Sequence, residues 1–341
     1  MSSVPAIDSS AAVARLKAIQ ARMRDAVRNE MQRTTAGDRS AIAYDGHGDT
    51  IYAIDRSVEH VLLEECEAWA REQPFILIAG GLGESGEMLL PSANIAGTAR
   101  FRLIVDPLDG TRGLMYDKRS AWILSGLAPD RGPETSLADI VLAVQTEVPI
   151  TKQYLADVAW AILGRGAYAE RHNLLTGEVH PIPLTPSRST NLAHGFASLS
   201  KFFPGRKPIV AEIEEELIRQ VDGIPTDGKV RVFDDQYIST GGQLYELMVG
   251  HDRFNGDIRP ALMKAEHLPG DPPGMAAHPY DICTELIARE AGVVVTDLDG
   301  HRLSNRLTVH DDVAWLGYAN DKLQARLQPI LQMLFRTYGL L

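Results

Sequence analysis

The segment Phe101–Thr111, FRLIVDPLDGT, constrains this chain more than any other stretch. Phe101, Leu103 and Val105 alternate onto one side, and Leu103-Ile104-Val105 forms a short apolar run, which reads as a buried strand. Asp106-Pro107 and Asp109-Gly110 follow at once. Proline lacks a backbone donor and glycine admits conformations that other residues avoid, so the strand is expected to stop there. Two carboxylates, Asp106 and Asp109, then share one tight turn. Two anions so placed repel unless protons or a cation lie between them. A hard divalent cation with oxygen ligands, such as Mg²⁺, resolves the conflict. An ordinary surface turn is the alternative, because Asp, Pro and Gly are the usual turn formers.

The chain has 341 residues, enough for a substantial core in two domains or two closely packed halves. Its net charge of −11 disfavours nonspecific nucleic-acid binding, which needs basic surface. A small phosphorylated ligand stays compatible, because a bound metal inverts the local field. Cys66 and Cys283 are the only cysteines, too few for a disulfide framework, so a reducing cytoplasm is expected. No segment approaches about 18 uninterrupted apolar residues, and the N-terminus lacks a signal-peptide pattern, so neither export nor membrane insertion is expected.

Val13, Leu16, Ile19, Met23, Val27 and Met31 recur at helical spacing, which predicts a helix from Ser9 or Ser10 to about Met31. The Gly- and Asp-rich stretch AGDRSAIAYDGHGDT reads as a loop, followed by a short extended piece. Asp55 opens a second helix, and an Asp there is ordinarily a cap. FILIAGGLG is a strand running into glycines, with Glu84 immediately after it and Glu87 close behind. Strands are expected over Ser120–Leu127 and Asp139–Val148, and hairpins at Gly164-Arg165-Gly166 and Thr176-Gly177. A boundary is expected near 184–190, giving halves 1–186 and 187–341. Helices follow from Pro208 and from Ser239-Thr240-Gly241-Gly242-Gln243, and a valine strand at Val293–Val295.

With Thr111 added, DPLDGT resembles the signature loop of the inositol monophosphatase and fructose-1,6-bisphosphatase superfamily, the Mg²⁺-dependent, lithium-sensitive phosphomonoesterases. DTIYAID resembles a further family segment, with Asp49 and Asp55 at its ends. Gly83-Glu84-Ser85 is similar to the family's Gly-Glu-Glu, with Ser in place of the second Glu. HPYDICTELIAREAGVVVTDLDG resembles the family's Trp-Asp, helix and Val-Val-Thr-Asp-x-x-Gly, with Tyr280 for Trp and one residue fewer between Asp and Gly. WLGYANDKL is similar to the last strand and helix start, with Asn320 in place. The resemblance covers most of the chain in element order.

The resemblance implies an α/β (α+β) layered αβαβα sandwich of the sugar-phosphatase type, with the metal site between the halves. It implies two or three Mg²⁺ ions, held by Glu84, Asp106, the carbonyl of Leu108, Asp109 and Asp281. Glu87 is a rival to Glu84. Thr111, oriented by Asp55, would act with Glu84 on the nucleophilic water. Backbone groups of Gly110 and Thr111 would hold phosphate, and the glycine-rich helix start, Gly241, Gly242 and Gln243, would contact substrate. Each acid also has a plain reading: Asp55 and Asp281 as helix caps, Glu84 as a solvated loop residue.

Arg112 departs from the inositol monophosphatase pattern. Thr111-Arg112-Gly113-Leu114 looks more like the 3′(2′),5′-bisphosphate nucleotidases, where a basic residue could hold a second phosphate; a structural ion pair is the plain alternative. His251–Pro279 is longer than its family counterpart and reads as an insertion near where substrate is chosen, or as a surface loop. The implied activity is hydrolysis of a small phosphomonoester, inositol monophosphate first, then a bisphosphorylated nucleoside or fructose 1,6-bisphosphate. A protein of this fold that binds metal or phosphate without turnover is the reading from another class. A homodimer is expected from the resemblance.

Overall fold

A computed structural model describes residues 8–45, 50–82, 85–92, 99–224, 227–265 and 275–341. The first helix, Ser9–Arg33, buries the expected stripe from Val13 to Met31. Its cap is Asp8 rather than a serine: Asp8 Oδ1 accepts from the amides of Ser10 and Ala11, both at 3.1 Å. A carboxylate satisfies free amides and also suits the positive end of the helix. Within the stretch expected as a loop, Ile42–Asp45 is a strand; it pairs with Thr50–Tyr52, in the short piece expected to be extended. A strand of four residues is too short for periodicity to reveal. The second helix runs Arg56–Ala70.

The larger sheet has eight strands. Glu87–Leu90 lies at one edge, then Phe75–Ala79, then Phe101–Asp109. Ala121–Pro129, Leu142–Val148, Leu155–Ile162, Ala167–Asn173 and Val179–Ile182 continue it as an antiparallel meander to the other edge. Leu103, Val105, Ile123 and Leu127 join the core beneath the first two helices. Ile104, Trp122, Leu124 and Ala128 face the opposite way, into a second core shared with Leu244, Leu247, Ile282 and Ile287. Successive side chains of a strand take opposite faces, and both faces here are covered, so the strand reads as a continuous apolar run.

That second core contains the helices Thr240–Met248 and Glu285–Ala291 and one face of a five-stranded sheet. The small sheet is ordered Val232–Phe233, Gly195–Leu199, Asp252–Asp257, Trp315–Tyr318, Val294–Thr296. The helices Lys207–Asp222 and Asp321–Thr337 cover its outer face. The layers are therefore helix, sheet, helix, sheet, helix. Residues 183–194 link the last strand of the large sheet to the first of the small one, and one continuous apolar core joins the two.

Two expectations change here. The signature strand does not stop at Asp106 but runs through Pro107 to Asp109. Asp106 lies opposite Leu124 and Asp109 opposite Trp122, so three steps on one strand face two on its partner. This is a bulge, where the missing proline donor breaks no regular ladder. The supposed insertion also begins with an inner strand: Asp252–Asp257 pairs with strands on both sides. Gly256 permits the close packing, because a Cβ there would lie 2.8 Å from Leu316 Cδ2. Arg259–Lys264 is a short helix, and residues 266–274 of the segment lie outside the described residues.

Asp252 is 9% exposed and accepts from Asn255 Nδ2. Burial pushes its carboxyl up from the ordinary 3.8 to about 6, helped by Glu246 and Asp235 and opposed by Asn255 and His251. A carboxyl whose folded pKa is raised favours folding in its protonated form. Its contribution is present below about pH 4 and is lost as pH rises through about 6. Asp252→Asn is therefore expected to raise stability near pH 7 by up to roughly 3 kcal/mol, with little gain at pH 4. Urea denaturation of both proteins at the two pH values checks this; equal gains at both would exclude it.

Candidate metal centre and its surroundings

Asp106 and Asp109 come from the bulged strand end, and Asp281 from the turn before the helix Glu285–Ala291. Each offers a carboxylate oxygen, and the three oxygens lie within 4.8 Å of one another. Asp106 and Asp109 are each 6% exposed. Burial pushes the carboxyl of Asp109 upward, and the charge of Asp281 pushes it further. Hydrogen bonds from Ser239 and the amides of Gly241 and Thr240 oppose the shift without cancelling it. The donor set is entirely oxygen, so the residues fit a hard divalent cation and would not select a soft one. Cys283 lies nearby and stays a thiol: burial, then the charges of Asp106, Asp281 and Asp109, raise its pKa well above the usual range.

The bulge builds the local geometry. Asp106 Oδ1 accepts from the amide of Leu108 at 2.9 Å. Gly110 adopts φ 94°, a conformation that costs other residues strain, and a Cβ there would lie 3.0 Å from Ser239 Cβ. A five-residue helix, Thr111–Met115, starts directly after it. Thr111 Oγ1 lies 2.9 Å from Asp55 Oδ1 and 2.7 Å from the carbonyl oxygen of Leu108, as donor to either. Asp55 sits at the start of Arg56–Ala70 yet makes no side-chain cap to that helix. Its other oxygen accepts from the amide of Tyr52 at 2.8 Å. The carboxylate thus faces the signature loop across 56 residues of sequence.

Asp281 stands one turn before its helix rather than at its N-terminus, since residues 281–284 are turns and the helix is Glu285–Ala291. Asp281 Oδ2 accepts from the amide of His278 at 2.6 Å, and the His278 ring stacks on Tyr280 with centroids 5.3 Å apart. Glu84 and Asp49 lie outside the described residues. The rival Glu87 is engaged elsewhere: its Oε1 accepts from Arg102 Nη1 at 2.9 Å, and Arg102 Nε donates to Asp130 at 2.7 Å.

The glycine-rich helix start serves Asp109 rather than an open face. Ser239 Oγ and the amide of Gly241 donate to Asp109 Oδ2 at 2.8 and 2.6 Å. The amide of Gly242 donates to Ser239 Oγ, and that of Gln243 to the Ser239 carbonyl, both at 2.9 Å. The Gln243 side chain donates to Ser200. The amides of Gly242 and Gln243, expected to contact substrate, each have an acceptor within the protein. A Cβ on Gly241 would lie 2.5 Å from Leu124 Cδ2 and 3.0 Å from Asp109 Oδ2, which explains the glycine. Ser239 was the missed residue, and its only sequence signal is the cap position of a helix.

Arg112 packs among aromatic rings. Its guanidinium carbon is 5.3 Å from the Phe203 ring centre and 5.6 Å from that of Tyr52, with Nη2 3.1 Å from Met275 Sδ. Arg259 packs 5.2 Å from the same Phe203 ring and 4.6 Å from Phe202. Nothing in the sequence links Phe202 and Phe203 to Arg112, some ninety residues earlier.

No protein-family model matches the chain, and no curated protein matches it. Solved structures do. A hypothetical protein from Pyrococcus horikoshii with similarities for inositol-1 monophosphatase aligns with TM-score 0.59 at 16% identity, covering 93% of this chain and 98% of that one. A Thermotoga maritima IMPase aligns with TM-score 0.57 at 17% identity, over 95% and 99%. Leishmania major fructose-1,6-bisphosphatase aligns with TM-score 0.61 at 14% identity, over 94% and 93%. The alignments run nearly end to end at low identity, so what is shared is the order and packing of the layers: this chain has the fold of the inositol monophosphatase and fructose-1,6-bisphosphatase superfamily.

Proposed function

We propose that the protein is a Mg²⁺-dependent phosphomonoesterase of the inositol monophosphatase type. The observation that carries the reading is the convergence of Asp106, Asp109 and Asp281 beside a threonine hydroxyl held by Asp55. When bound, hard divalent cations supply Lewis acidity toward phosphoryl oxygens and acidify water. The three aspartates would hold them, with the Leu108 carbonyl keeping one lone pair beyond the one facing Thr111. Thr111 Oγ1 directs its proton to Asp55 or Leu108, which leaves its lone pairs to accept from the attacking water. Glu84 is assigned the second contact to that water. The turn at Gly110 would present the amides of Gly110 and Thr111 to the phosphate.

Inositol 1-phosphate is the first substrate to test. Arg112, adjacent to Thr111, favours a second reading in which a further phosphate is bound, as in adenosine 3′,5′-bisphosphate. Phosphate release from these two and from fructose 1,6-bisphosphate, with and without Mg²⁺, tests the proposal. Thr111→Val is expected to lower Mg²⁺-dependent release about a hundredfold while Mg²⁺ affinity changes little. Tight Mg²⁺ binding with no release from any of the three would turn the reading to a binding protein of this fold.

A further inference from the structure

A second charged site lies away from the acidic cluster. The C-terminal half of the first helix and the hairpin after Ala167–Asn173 border an open cleft of about 480 Å³, lined by Arg24, Asp25, Arg28, Asn29, Gln32 and Asn173 among others. None of these residues belongs to the acidic cluster. Arg24 is 6% exposed. Its Nε donates to Asp25 Oδ1 at 2.9 Å, while its Nη1 is buried without a hydrogen-bond partner. Arg28, one helical turn on, donates through Nη1 to the carbonyl of Gln153 at 3.1 Å. Burial, and then the charge of Arg24, lower the pKa of Arg28, with the charge of Asp25 opposing them, so the two guanidinium groups repel each other.

The acids nearby offset the pair only in part. Asp25 is largely exposed; it meets the Nε edge of Arg24 and its charge acts also on Arg28. Glu170 is taken by Lys17 at 2.6 Å and by His172 Nε2 at 2.7 Å. Two arginines on one helix turn, one buried with an idle donor, are an expensive arrangement unless an anion joins them. Arginine forks suit phosphate, and the amides of Asn29, Gln32 and Asn173 add neutral donors of the kind that hold a polar ligand body. The volume exceeds what a bare phosphate ion needs and falls in the range of small-molecule sites.

We propose that this cleft binds a small phosphate ester through Arg24 and Arg28. The test is thermal denaturation of the full chain in EDTA, where the acidic cluster holds no metal and repels anions. The probes are glucose 6-phosphate and inorganic phosphate. Glucose 6-phosphate is expected to raise the melting temperature of the wild type, with an apparent affinity at least tenfold above that of inorganic phosphate. Arg28→Gln should weaken that response at least tenfold. Arg24→Met, which removes a buried guanidinium with an idle donor, should melt no lower than wild type without ligand and yet lose the response. The proposal is overturned if the wild type does not respond, if both variants respond as the wild type does, or if inorganic phosphate binds as well as the ester.

Discussion

Asp106→Asn is expected to reduce Mg²⁺-dependent phosphate release by on the order of a thousandfold or more, equivalent to roughly 4 kcal/mol of transition-state stabilisation. The asparagine oxygen still accepts the Leu108 amide that Asp106 Oδ1 accepts at 2.9 Å, so the bulge survives the change. One of the three converging carboxylates is lost as a charge. Without metal the variant should therefore melt at or above the wild-type temperature, because the repulsion within the cluster falls. Release assays paired with melting curves in EDTA separate a lost ligand from a lost fold. An active variant, or one that melts well below wild type, would remove Asp106 from the role assigned to it.

Arg259→Met is expected to destabilise the protein by about 3–5 kcal/mol, the usual loss when one member of a buried ion pair is removed. Asp257 is 1% exposed and Arg259 5%. Arg259 Nε donates to Asp257 Oδ1 at 2.8 Å and Nη2 to Oδ2, a two-pronged pair. Its remaining nitrogen donates to the Met275 carbonyl. The substitution leaves the Asp257 carboxylate buried and unpaired at the end of an inner strand. Joining it with Asp257→Leu should recover most of the loss, since neither charge then remains. Urea midpoints of the single and double variants form the cycle; a single variant with an unchanged midpoint would show that the pair contributes nothing.

Much of the fold was legible because its signals are local. The helix Ser9–Arg33 declares itself through one apolar stripe, and the strand at Leu103–Val105 through a run that only a sheet covered on both faces tolerates. Asn320 was legible too: its side chain accepts from the Leu323 amide and caps the last helix. The strand Ile42–Asp45 was missed because it is shorter than a periodic pattern needs; its partner Thr50–Tyr52 falls in the piece read as extended. Asp252–Asp257 was taken for part of an insertion because the whole segment is longer than its family counterpart; Asn, Gly and Asp make a weak strand pattern, which pairing on both sides overrides.

The candidate site divides along the same line. Two neighbouring carboxylates on a Pro-Gly segment after an apolar strand state a cation problem that is legible in the chain alone. So is the placement of Asp55 and Asp281 before helices, whereas the short helix that starts at Thr111 is not. The partners of these residues are set by tertiary packing. Asp55 turns from its own helix to Thr111, Asp281 reaches Asp109 across 172 positions of chain, and the Ser239–Gly241 turn closes on Asp109 instead of on open space. Local chemistry sets what each residue can do. Which residues meet is set by how two sheets and the helices between them bury their apolar faces, and that outcome is a property of the whole chain.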